Sequence, residues 1–166
     1  MPTVYSQPPG ELKLKKDNLL ETIQLGKEWQ ISFEFKAENS GESNYTNILH
    51  LTTGEDHTNG VGKIGDRIPA IFYHGGHGLH VTTAIGDKPN YWKHTKSSPP
   101  VGKWSTIVVS QLKSGSKINF NFKVDGADHS VENPTPQEFS DVKVYASDPW
   151  WNPQSGSIRG LTIKTQ

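Results

Sequence analysis

The feature that most restricts this chain is the two-residue alternation of its last third. Trp104 opens one alternating run and Gly115 breaks it. Ile118, Phe120, Phe122 and Val124 then share one side, with Asn119, Asn121 and Lys123 on the other. Successive strand side chains point to opposite faces, so this spacing predicts a half-buried strand and excludes a helix. Asp125-Gly126 follows, a pair that reverses a chain tightly because glycine accepts positive φ. A short strand is expected after the turn. Two more, over Phe139 to Tyr145 and Ile158 to Ile163, flank the adjacent Trp150 and Trp151. Only an antiparallel, sheet-on-sheet arrangement accommodates so many short runs in this order.

Upstream the same period recurs. Trp29, Ile31, Phe33 and Phe35 alternate with polar residues, and Leu12 to Lys15, Leu20 to Leu25 and Ile48 to Thr53 read as further strands. Ile68 to Tyr73 and Leu79 to Ile85 flank the glycine-rich His74 to Gly78, which predicts a hairpin. The face buried around Val108 and Val109 is ambiguous from pattern alone. Trp29 and Trp104 sit in strand patterns and are expected in the core. Three stretches, Glu38 to Asn47, Gly54 to Arg67 and Gly86 to Gly102, are expected as rim loops, where binding residues concentrate. The expected class is all-β, a two-sheet antiparallel sandwich of jelly-roll type with roughly ten to twelve strands. A single domain spans residues 1–166, with residues 1–10 a poorly ordered or edge-capping segment.

Composition removes several function classes. Lysine plus arginine and aspartate plus glutamate both total 17, and no basic stripe marks a nucleic-acid partner. The longest apolar stretches are a few residues, against about 20 needed to cross a bilayer as a helix, so no membrane insertion is expected. There is no cysteine, which excludes thiol catalysis and cysteine-held metals. Residues 1–10 carry no basic and apolar signal-peptide pattern. Asn44-Tyr45-Thr46 is a glycosylation sequon in a polar stretch. No Gly-x-Ser-x-Gly elbow or phosphate-binding glycine loop occurs.

From Trp29 to Thr165 the chain resembles the concanavalin A-like lectin and glucanase superfamily, in particular its laminin-G-like and pentraxin-like members. The segments that carry the resemblance are WQISFEFKA, NILHLTTG, RIPAIFYHGGHGLHVTTAIG, VGKWSTIVVSQL, INFNFKVDGADHSV and DVKVYASDPW. The resemblance implies a jelly roll, non-catalytic recognition of glycans or glycoproteins, and an extracellular setting. Adhesion through protein contacts, as in laminin-G-like domains, is the alternative it leaves open, and a glycan-active enzyme a weaker one. The paired glutamates of retaining glucanases, which need carboxyls about 5 Å apart, have no counterpart. Glu34 and Glu38 have the i, i+4 spacing but belong to a solvated face, so no enzyme is expected.

Candidate binding residues follow from chemistry. Sugars offer apolar C–H faces beside hydroxyls, so a glycan site combines an exposed ring with polar groups. Trp92 and Trp151 are the rings expected to be exposed, with Tyr91, Asn90 and Asn152 beside them. Asp66 and Arg67 are either an ion pair at the start of a strand or an acceptor and donor for sugar hydroxyls. His74, His77 and His80 place three imidazoles within seven residues, as a polar hairpin tip or a partial transition-metal site. Glu55, Asp56, Asn59 and Asp66 crowd one loop with the hard oxygen ligands that suit calcium, which the resemblance also implies at a rim. Weak single-site glycan binding would favour a homo-oligomer.

Overall fold

The computed structural model describes residues 1–41, 44–56 and 62–166. Among the described residues there are thirteen strands: β1 (Thr3–Ser6), β2 (Glu11–Lys13), β3 (Leu19–Leu25), β4 (Trp29–Ala37), β5 (Tyr45–Thr52), β6 (Ala70–His74), β7 (Gly78–Ile85), β8 (Lys88–His94), β9 (Ser105–Ser114), β10 (Lys117–Val124), β11 (Ala127–Glu132), β12 (Phe139–Tyr145) and β13 (Gly156–Thr165). One sheet runs β1-β13-β4-β9-β10-β11, with β2 also on β13, and the second runs β3-β12-β5-β6-β7-β8. Every strand pairing is antiparallel, and the described residues contain no helix. The two-sheet jelly-roll sandwich is thus established.

The core lies between the sheets. Trp29, Ile31, Phe33 and Phe35 of β4 face it, as their spacing requires, with Phe120 and Phe122 of β10 and Ile158, Leu161 and Ile163 of β13. Each such side chain contributes roughly 1.5–3 kcal/mol through burial. Phe35 and Tyr73 meet across the layers with centroids 6.0 Å apart. At β9 it is Ile107 and Val109 that face inward, which resolves the ambiguity of that stretch.

Two expectations need correcting. The stretch from Gly86 to Gly102 is not all loop, because β8 occupies Lys88–His94 and forms the edge of the six-stranded sheet. An edge strand tolerates Pro89, whose missing N–H would break an interior ladder. Of the two alternatives for residues 1–10, Thr3–Ser6 take the edge-capping one, as an edge strand paired to β13. Trp104 is half-buried outside the core, its ring held under Arg159 Cζ at 4.1 Å and Lys36 Nζ at 4.8 Å.

Strand parity then places the functional side chains. Ile71 and Tyr73 of β6, Leu79 and Val81 of β7 and Tyr91 of β8 pack on the core. Phe72, His74, His80, Thr82, Asn90, Trp92 and His94 therefore face outward together from the six-stranded sheet.

Candidate functional site

Outward Phe72 is only 1% exposed, so something covers it. Two loops do: the one between β5 and β6, which carries Asp56 and Arg67, and the one between β12 and β13, which carries Trp150 and Trp151. Trp151 stands edge-on to Phe72 with centroids 5.3 Å apart, and the Arg67 guanidinium lies 5.1 Å from the Phe72 centroid.

Each nitrogen of Arg67 donates within the frame. Its Nε and Nη2 donate to the two Asp56 oxygens at 2.7 and 3.1 Å, and its Nη1 donates to Asn90 Oδ1 at 3.1 Å. Thr82 Oγ1 donates to the same Asn90 oxygen, and Trp151 Nε1 to Asp56 Oδ2. Burial pushes the Asp56 carboxyl up, but the bonds and charge of Arg67 and the bond from Trp151 more than offset this and hold it below its usual range. This fully bonded network locks the loops onto the sheet.

A second set of bonds fixes the tryptophan loop. Asp148 is fully buried; its Oδ1 accepts the Trp150 and Trp151 backbone N–H groups at 2.9 and 2.8 Å. Asp148 Oδ2 lies 2.7 Å from His50 Nδ1, and His50 Nε2 lies 2.7 Å from the Asp66 carbonyl. Both ring nitrogens of His50 thus lie against an oxygen, which fixes the ring between the two loops. Asn47 Oδ1 accepts from Ser147 Oγ and from the Asp148 N–H, both at 2.9 Å. One polar spine thus runs from β5 to Trp151.

Beside this frame lies an aromatic surface. Trp92 is 50% exposed and stacks on His80 at 5.4 Å, with His94 4.9 Å away. His77 lies parallel to His94 at 5.0 Å, His74 packs on His77 at 4.4 Å, and Tyr45 sits 4.9 Å from both His74 and His80. Tyr45 Oη is 3.3 Å from His94 Nε2. His80 is buried and its Nδ1 has no hydrogen-bond partner. Burial, then His94, Arg67 and His74, depress its pKa to about 3. Burial, His77 and His74 also lower His94. The surface is therefore a set of rings, uncharged at least at His80 and His94 in neutral solution.

The expected residues divide accordingly. Trp92, His74 and His77 join this surface, with Trp151 half-buried at its border and Asn90 beneath it. Arg67 is 7% exposed and turned to Asp56 and Asn90 beneath the rings rather than out into solvent, and its ionic partner is Asp56, not Asp66. Asp66 is 7% exposed and its Oδ2 accepts the Lys63 N–H at 2.8 Å. Tyr91 points inward, its hydroxyl 2.9 Å from His129 Nε2. Asn152 is exposed beyond the rings, its carbonyl bonded by the Asn47 N–H at 2.8 Å.

For metals, no group of three or more His, Asp or Glu side chains among the described residues is placed to hold an ion. Of the calcium set, Asp56 is neutralised by Arg67, Glu55 is exposed, and Asn59 lies outside the described residues. Stacked imidazoles such as His77 and His94 cannot aim in-plane lone pairs at one ion. The sequence reading missed His80 and His94 as partners of Trp92, and Tyr45 as the ring packed on both. Asn90, Trp92 and His94 share a two-residue period, but the face that carries Tyr91 differs little in polarity, so the period alone does not mark β8.

No protein-family model matches the sequence, and no curated protein does. Solved structures do match in fold. A heptameric pentraxin from Limulus polyphemus aligns over 95% of this chain and 71% of its own, with TM-score 0.57 and 14% identity. A Ruminococcus gnavus sialidase carbohydrate-binding module, family 40, solved with α2,3-sialyllactose, aligns over 84% and 76%, with TM-score 0.56 and 12% identity. A family 7 alginate lyase aligns over 87% and 66%, with TM-score 0.52 and 10% identity. The chain has a concanavalin A-like jelly-roll fold.

Proposed function

We propose that this protein is a non-catalytic carbohydrate-binding module whose site is the outer face of the six-stranded sheet. The observation that carries the reading is Trp92, half exposed and packed on His80 and His94, with His77 and Tyr45 in turn against His94. A large exposed indole on a rigid, bonded frame is an apolar platform for a sugar C–H face, with imidazole and phenol groups at its border to bond hydroxyls. The frame is preorganised, since Arg67, Asp56, Asn90 and Trp151 need not reorder on binding. That this scaffold hosts a carbohydrate-binding module in the bacterial sialidase supports the reading by analogy of fold.

One observation favours a second, catalytic reading. Tyr45 and His94 form a hydrogen-bonded pair on the same face, and such a pair can pass a proton. A polysaccharide panel incubated with the protein separates the two. Retention of one or more polysaccharides on an affinity gel, with no new reducing or unsaturated ends, is the expected result. Release of ends that stops in His94→Ala would establish the catalytic reading instead.

A further inference from the structure

The strongest feature outside the ring surface is a groove of about 650 Å³ along the open side of the sandwich. There the edge strands β8 and β11 end the two sheets without pairing to each other. The Tyr91–His129 contact spans the gap at 2.9 Å. Beside it, the segment after β8 and the β10–β11 hairpin form two walls over a floor that includes Phe122. The volume lies within the range of ligand-sized sites.

His94 is the link. Its ring lines this groove and also packs on Trp92 and His80 of the ring surface. The two features are therefore one continuous surface that turns over the β8 edge. The charges lining it are matched in number. Arg67 is neutralised by Asp56, Asp128 is paired with Lys123 at 3.9 Å, and Asp125 and Lys96 are the remaining lining charges. Asp125 Oδ1 accepts the Thr106 N–H at 3.0 Å, and Asp128 is exposed.

We propose that the protein binds a neutral oligosaccharide several units long, with one sugar on Trp92 and the following units passing His94 into the β8–β11 groove. The proposal rests on the glycan-binding reading of the ring surface and names its ligand class. The lining offers an acidic glycan no cluster of cations, since Lys123 is paired with Asp128 and Lys96 is matched in number by Asp125, whereas hydroxyl groups find donors and acceptors on both walls.

Calorimetric titration with neutral cello-, xylo-, malto- and manno-oligosaccharides of increasing length tests this, with oligouronates and sulfated oligosaccharides as comparators. The expected result is one neutral series that binds about tenfold more tightly as a tetrasaccharide than as a disaccharide. Ala127→Trp, an exposed groove-wall residue filled by an indole, should remove that gain and leave disaccharide affinity and melting temperature unchanged. Trp92→Ala should weaken every length. Affinity that does not change with length, or a length gain that survives Ala127→Trp, overturns the groove assignment while the ring surface stands. Tighter binding of an acidic series overturns the neutral class. No binding of any sugar overturns both this inference and the reading it rests on.

Discussion

His80 shows most clearly what one residue contributes here. Its imidazole lies under Trp92, and burial reinforced by His94, Arg67 and His74 takes its pKa from an ordinary 6.5 to about 3. The unfolded chain therefore binds a proton at His80 that the folded chain refuses. The stability tied to the neutral ring is complete above pH 6.5 and is lost as pH falls from there toward 3, at up to about 1.4 kcal/mol per pH unit. His94, also lowered, acts in the same direction. Asp56, lowered as well, begins to cost stability only as pH approaches the ordinary carboxylate range, so the two effects separate. Urea unfolding at pH 7, 6 and 5 should show declining stability, and His80→Phe should flatten the decline. An unchanged slope in that variant would mean the proton goes elsewhere.

Asp56 and Arg67 make a second residue-scale case. Both are nearly buried, at 8% and 7% exposure. Removing one member of such a pair strands the other, so Asp56→Ala should cost about 3–5 kcal/mol. The double variant Asp56→Leu, Arg67→Met replaces both charges by apolar volume and should recover much of that loss. Equal destabilisation in the two proteins, by chemical denaturation, would show that the pair's bonds to Trp151 and Asn90 matter more than its charges.

At the scale of elements, the loop from Ala146 to Ser155 is placed by Asp148. Asp148→Ala leaves the Trp150 and Trp151 N–H groups and His50 without their acceptor, at an expected cost of about 3–5 kcal/mol. Asp148→Asn keeps one acceptor oxygen and should cost less, with Trp151 fluorescence closer to that of the parent. Similar losses in both variants would locate the restraint in Asn47 instead.

Elements also mark how far the sequence could be read. Strands β4, β10 and β13 were legible because Trp29 to Phe35, Ile118 to Val124 and Ile158 to Ile163 spend apolar residues on one face. β8 was hidden because its two faces differ little in polarity: Tyr91 inward, Trp92 and His94 outward, with Lys93 and Pro89 between. β1 hid for a related reason, as an exposed edge strand held to β13 through backbone bonds. The site was legible in part. Trp92 and the His74 to His80 cluster stood out by residue type, but Asp56 meets Arg67 across eleven residues of loop, and local spacing pointed to Asp66 instead.

At the scale of the whole molecule, the two sheets have different duties. The seven-stranded sheet carries on its outside an exposed ion pair, Glu34–Arg159, over which Trp104 lies. The six-stranded sheet carries the buried polar frame and the exposed indole. Burying those polar groups costs free energy that their mutual hydrogen bonds offset, and the result is a fixed support beneath that face. Trp104 and Trp92 are therefore a matched pair of half-exposed indoles on opposite faces, one expected to be indifferent to ligand and the other essential.

The most direct test is a glycan array probed with the parent protein, Trp92→Ala and Trp104→Ala, each first shown to keep its melting temperature. The account predicts clustered neutral-glycan signals for the parent and for Trp104→Ala, and their loss for Trp92→Ala. Signals that persist in Trp92→Ala and vanish in Trp104→Ala would place the site on the other sheet and contradict it.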